Sequence, residues 1–164
     1  MKIGIISDTH DDGINLKKVA RIFRNEKIEE VYHLGDYVSP PLIKILKDFR
    51  LTGIFGNSDG NRTGLMDAFN EIGGNLAGDF AAIEADGLKI ALYHGEYRQI
   101  SEALAKSGNY DAVFCGHLHK SEKTSFGKTL LLSPGSTHGY LTRESSPTFG
   151  IFNTQDMEFE ILSI

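Results

Sequence analysis

The chain has 164 residues, a length that fits one domain able to bury roughly 70% of the surface exposed by the unfolded form. Its 17 Lys plus Arg against 22 Asp plus Glu give a net charge of −5, which argues against broad nucleic-acid binding without excluding a nucleotide. One cysteine, Cys115, rules out an internal disulfide, and no apolar run approaches the ~20 residues of a bilayer span.

The N-terminus leads directly into an apolar run, Ile3-Gly4-Ile5-Ile6, without the regions of a signal peptide, so a soluble protein in a reducing cytoplasm is expected. That run reads as a buried strand and ends at Asp8-Thr9-His10. After Asp11-Asp12-Gly13, the apolar positions Leu16, Val19, Ala20 and Phe23 recur on one helical face, as in the crossover of a βαβ unit. A second strand, Val31-Tyr32-His33-Leu34, reaches Gly35-Asp36. Ser39-Pro40-Pro41 then offers a cap and first-turn prolines to a helix with Leu42, Ile45, Leu46 and Phe49 on its apolar side. Ile54-Phe55-Gly56 delivers Asn57 and Asp59. Alternating strands and helices predict a parallel sheet, whose ligands bind beyond the carboxyl ends of the strands.

The segment from Gly60 to Asp79 is the least regular, with a short helix over Arg62 to Phe69. Beyond it, Asp86-Gly87 between Phe80–Ala85 and Leu88–Leu92 is a strong hairpin signal, so antiparallel strands enter. This second strand ends at His94. A helix around Ile100, Ala103, Leu104 and Lys106 stops near Gly108, and the strand Asp111–Cys115 leads to Gly116-His117-Leu118-His119. Two more hairpins follow, Glu122–Phe126 with Leu130–Ser133 and Thr148–Phe152 with Glu158–Leu162. Two sheets fit this order better than one. No repeat or linker divides the chain, so residues 1–164 are read as a single domain.

Each Asp, Asn or His at these strand ends has an ordinary reading as a turn former or a satisfied polar group. Their number changes the balance. Asp8, His10, Asp36, Asn57, Asp59, His94, His117 and His119 all follow apolar strands, and in a D-x-H or H-x-H pair on extended chain both side chains point one way. Imidazole, carboxylate and amide oxygen without thiolate suit divalent Mn, Fe, Zn, Co or Ni, and the choice among them stays open. Without Asp59, seven such ligands remain, too many for one tetrahedral ion and about right for two ions sharing a carboxylate. Paired ions ~3.5–4 Å apart activate water and clamp both oxygens of an in-line displacement, which makes phosphoester hydrolysis the expected chemistry.

Asp8-Thr9-His10, Gly35-Asp36, Gly56-Asn57-Ser58-Asp59, His94-Gly95 and Gly116-His117-Leu118-His119 resemble, in order and spacing, the motif series of the calcineurin-like metallophosphoesterases. The short length, the Ser7-Asp8-Thr9-His10 start and Ser133-Pro134-Gly135-Ser136 are similar to the small prokaryotic phosphodiesterases of that family. The resemblance implies an α/β sandwich of two mixed β-sheets flanked by helices. It also implies a phosphodiesterase acting through a hydroxide held between two divalent ions, and Mn²⁺ is expected to serve at least as well as Zn²⁺ because oxygen-rich, water-containing sites suit it. Asp8, His10, Asp36 and His119 would hold one ion, and Asp36, Asn57, His94 and His117 the other, with Asp36 as the bridge. The implied substrate is a small phosphoester, and a homo-oligomer is left open. A phosphomonoesterase or nucleotidase is the alternative within the enzyme class. A non-catalytic scaffold like the retromer subunit of this fold is the alternative outside it, disfavoured because every ligand position keeps a suitable donor.

Asn57, Asp59 and His94 are the candidate catalytic residues. Many family members carry His where this chain has Ser58, so the usual leaving-group acid is missing and diesters should be preferred. Asp59 is expected to orient a histidine behind the ligands. Ser58, Arg62 and His138 are candidate substrate contacts, and Arg98 and Arg143 are further candidates for phosphate. Glu96 should face away from the pocket. His33 reads as structural and Cys115 as a small buried hydrophobe.

Overall fold

The computed structural model describes residues 1–164. Eleven strands form two sheets. In the first, β11 (Glu158–Ser163), β10 (Thr148–Asn153), β1 (Lys2–Ile6), β2 (Glu30–His33), β3 (Arg50–Gly53) and β4 (Asn75–Leu76) lie in that order. β1 to β4 run parallel, and β10 is antiparallel to both neighbours. The second sheet has the order β5 (Phe80–Ala85), β6 (Leu88–Tyr93), β7 (Ala112–Phe114), β9 (Thr129–Pro134) and β8 (Ser121–Phe126). Here β6, β7 and β9 are parallel, and the edge strands pair antiparallel as hairpins.

Strand alternation decides what each face buries. In β1, Ile3 and Ile5 point between the sheets and join Tyr32, Leu34, Ile90, Leu92, Phe114, Leu132 and Phe152 in the central core. Ile6 points to the other face, where Val31, Leu51 and Phe149 meet α1 (Gly13–Asn25) and α2 (Arg62–Glu71) through Leu16, Val19, Phe23, Leu65 and Phe69. Gly4 shares that face because the Phe23 ring lies where its Cβ would be, 2.6 Å away. Truncating a buried aromatic such as Phe23 to Ala costs ~3–5 kcal/mol. α3 (Arg98–Lys106) covers the outer face of the second sheet over Ala91, Val113 and Leu131. The layers are therefore helices, sheet, sheet, helix.

Three expectations change. Pro40–Leu46 is a 3₁₀ helix rather than an α-helix, and Phe49 lies beyond its end. Ser39 makes no side-chain cap there, because its hydroxyl donates to Asp11 Oδ2 at 2.8 Å. β3 ends at Gly53, so Ile54 and Phe55 follow the strand, and the irregular segment adds the short β4. The three hairpins and the left-handed Gly108, at φ 69°, stand where the sequence puts them.

Candidate metal centre

The carboxyl ends of β1, β2 and β3 in one sheet and of β6 and β7 in the other lie at one edge of the sandwich. Backbone bonds tie their loops together. Asp8 N–H donates to Gly35 O and His10 N–H to Asp36 O, each at 3.0 Å, and Gly116 N–H donates to His94 O at 2.7 Å. His117 N–H closes the ring onto Asp8 Oδ2 at 3.0 Å.

Ligand-type atoms of Asp8, His10, Asp36 and His119 all lie within 4.8 Å of one another. His119 Nε2 is 3.2 Å from Asp8 Oδ1 and 3.2 Å from His10 Nε2. Asn57, His94 and His117 gather beside them: Asn57 Oδ1 is 3.2 Å from His94 Nε2 and 2.9 Å from His117 Nδ1. Asp36 faces both groups, with Oδ2 3.3 Å from His10 Nε2 and Oδ1 3.5 Å from His94 Nε2. The pairs converge, although not as extended chain. Asp8, His10, Asp36, His117 and His119 all have positive φ, between 38° and 67°.

Backbone carbonyls orient two imidazoles. His94 Nδ1 lies 2.6 Å from Leu34 O and His119 Nδ1 2.8 Å from Leu141 O, which turns each Nε2 inward. Burial works against charge on His94, yet the Asp36 carboxylate, the Asp8 charge and the Leu34 carbonyl outweigh it and raise its pKa to about 9. His119 is raised as well, chiefly by Asp8, whereas burial lowers His10. Burial resists ionisation of Asp36 too, but His94 and Ser58 hold its carboxyl well below the ordinary range.

Asp59 is a correction. No histidine receives its carboxylate, which instead accepts four backbone N–H bonds: Asp36 and Gly56 on Oδ2, at 2.9 and 2.8 Å, and Tyr37 and Val38 on Oδ1, at 2.8 and 2.9 Å. It holds the loop that carries Asp36. Ser58 also turns to Asp36, donating its N–H to Oδ1 at 2.8 Å and its hydroxyl to Oδ2 at 3.0 Å. Arg62 pairs with Asp79 and lies over the Phe55 ring at 4.5 Å, and Arg98 pairs with Glu122 and Glu102. Arg143 lies in the loop beside His119, donating its backbone N–H to His119 O at 2.9 Å. His138 does reach the edge of the centre, its ring centroid 6.2 Å from that of His10. His33 is buried against Tyr37, and burial pushes its pKa down to about 3. Cys115 is buried behind the site, its pKa pushed up to about 12 by burial. The carbonyls of Leu34 and Leu141 left no trace in the sequence, because any residue could supply them.

The donor set fits divalent cations. Asp8 Oδ1 is buried with no hydrogen-bond partner, and two imidazole nitrogens face each other across 3.2 Å with two buried carboxylates beside them. The carboxylates that raise the proton affinity of His94 and His119 would attract a metal ion in the same way.

A helix-flanked double sheet with an N/O-donor centre at its strand ends is the architecture of a metallophosphoesterase. Residues 1–157 match the family model of the calcineurin-like phosphoesterase superfamily domain, and the chain belongs to that family. It is 39% identical to phosphodiesterase MJ0936 of Methanocaldococcus jannaschii over 97% of this chain and 96% of that protein. It superposes on a solved archaeal phosphodiesterase with TM-score 0.93 and 37% identity, each chain fully covered. Vps29 of Chaetomium thermophilum shares the fold alone, with TM-score 0.74 and 16% identity over all of this chain and 94% of that one.

Proposed function

We propose that this protein is a dinuclear, Mn²⁺-favouring phosphodiesterase of the cytoplasm, acting on a small phosphoester. The observation that carries the reading is Asp36, whose two oxygens face the two donor groups separately. Asp8, His10, Asp36 and His119 would hold one ion and Asp36, Asn57, His94 and His117 the other. Bound there, the ions would supply Lewis-acid stabilisation and an activated water.

The chain's own residues do the remaining work. Asp59 fixes the backbone of Asp36, Tyr37 and Val38, and the carbonyls of Leu34 and Leu141 aim His94 and His119. Ser58 stabilises the Asp36 carboxylate and places no imidazolium beside the leaving oxygen. A monoester dianion gains most from such a cation, whereas a diester carries one charge fewer and needs it less. The names of the relatives support the diester preference.

The test is a panel of aryl diester, aryl monoester, cyclic nucleotide and nucleotide assayed with Mn²⁺. The aryl diester should be hydrolysed fastest, chelation should abolish turnover, and Asp36→Asn should remove activity and leave fewer than two metals per chain. Full activity of Asp36→Asn would reject the shared carboxylate, and faster monoester turnover would reject the diester reading.

A further inference from the structure

A groove of about 420 Å³ adjoins the centre, between the N-terminus of α1 and the turn at residues 138–141. Asp12, Ile14, Asn15, His138, Gly139 and Tyr140 line it. The His138 ring joins groove to centre, with its centroid 6.2 Å from that of His10 and 6.2 Å from that of Tyr140. A similar cavity at Lys89, Asp111 and Lys128 sits at the opposite end of β6 and β7, remote from the donors. Volumes of ~300–1,000 Å³ are usual for small-molecule sites.

The polar walls of the groove already have partners. Asp12 Oδ1 accepts from Asn15 N–H at 3.0 Å, and Oδ2 accepts from Asn15 Nδ2 at 3.0 Å and Gly139 N–H at 2.9 Å. Asn15 Nδ2 also donates to Thr137 O at 3.1 Å, and its Oδ1 accepts from Lys18 Nζ at 3.1 Å. His138 Nδ1 accepts from Tyr140 and Leu141 N–H at 3.0 and 3.1 Å, so the neutral ring carries its proton on Nε2. The apolar walls have no such commitments. Tyr140 is 95% exposed and Ile14 73% exposed. Scattered exposed apolar residues are ordinary, but these two flank one cavity beside the donor cluster.

An anionic guest would find no counter-charge among these six residues, of which Asp12 is the one carboxylate. A planar ring would find the face of Tyr140 and the methyl groups of Ile14. Aromatic stacking adds attraction that burial of an alkyl group lacks, and it tolerates different rings.

We propose that the groove is the subsite for one ester substituent of the substrate, and that this substituent is a planar aromatic group, a nucleobase or an aryl ring, stacked on Tyr140. The assignment rests on the phosphoester reading above. Tyr140 and Ile14 are thereby specificity-determining residues.

Calorimetry of the Mn²⁺-loaded protein with methyl phosphate, phenyl phosphate and adenosine 5′-monophosphate tests this. The wild type should bind the two ring-bearing esters more tightly than methyl phosphate. Tyr140→Ala should weaken the ring-bearing esters about tenfold, equivalent to ~1.4 kcal/mol, and leave methyl phosphate unchanged. Tyr140→Phe should keep wild-type affinity, and Ile14→Ala should lose less than Tyr140→Ala. Loss for the nucleotide alone would assign a nucleobase, and equal losses would assign any planar ring. Equal weakening of methyl phosphate, or no change for any ester, would overturn the proposal. A wild type that hydrolyses an aryl diester yet binds all three esters alike overturns the groove assignment only. A wild type without Mn²⁺-dependent hydrolysis overturns the phosphoester reading itself.

Discussion

Replacing Asp59 by Asn should unfold the protein more easily before it affects any chemical step. The carboxylate is 3% exposed and receives four N–H donors, two on each oxygen. An amide keeps one acceptor oxygen and turns an NH₂ group toward the other two donors, so two buried N–H groups lose their partner. Each such group costs ~1–3 kcal/mol, which puts the loss at roughly 2–6 kcal/mol. Burial also raises the pKa of Asp59, a desolvation cost that the neutral Asn avoids, so the lower half of that range, about 3 kcal/mol, is expected. Against a typical net stability of ~5–15 kcal/mol this is large. With a urea slope of ~2 kcal/mol/M the midpoint should fall by about 1.5 M. The measurement is urea unfolding of the metal-free protein, followed by circular dichroism. Unchanged stability together with lost activity would refute the scaffolding role and return Asp59 to the chemistry.

Gly35→Ala should fail at the same junction. Gly35 has φ 97°, and a Cβ there would lie 2.5 Å from Gly56 N and 2.9 Å from His94 Nδ1, so a melting temperature within about 2 °C of wild type would contradict the packing. Ser58→His should raise the ratio of aryl monoester to aryl diester turnover about tenfold or more, short of the ~10²–10⁴-fold that a fully positioned acid contributes. A ratio that fell would show that charge at this position does not set the preference.

How the donors meet was legible only in part. The apolar strands and the Asp, Asn and His residues after them located the centre, because burial and donor chemistry are both carried by side chains. The reason for convergence was not legible. The spacing of Asp8-x-His10 suggested extended chain, whereas both residues are left-handed, and Asn57-x-Asp59 separates, with Asn57 on the centre and Asp59 behind it. Asp and His adopt left-handed backbone more readily than most residues, but a sequence does not show which of them do so. The same holds for Asp59, whose partners are four main-chain N–H groups that any residue could supply. Ser39 failed as a cap because Asp11, 28 positions earlier, competes for its hydroxyl.

The strain at the candidate ligands has a consequence for stability. Five non-glycine donors sit at positive φ, and residues held in such regions cost ~1–3 kcal/mol each, so together they offset a sizeable part of the net stability. Asp8 and Asp36 add two buried carboxylates, and Asp8 Oδ1 has no hydrogen-bond partner. Such a conformation persists only if its surroundings over-determine it. They do so here: Asp59 binds four amides, Gly35 packs against Gly56, and the loops donate to one another across both sheets. A cation bound there would offset the charge of the two buried carboxylates. The candidate ligands are thus held by stability drawn from the two sheets and from one buried carboxylate, Asp59, rather than from contacts of their own.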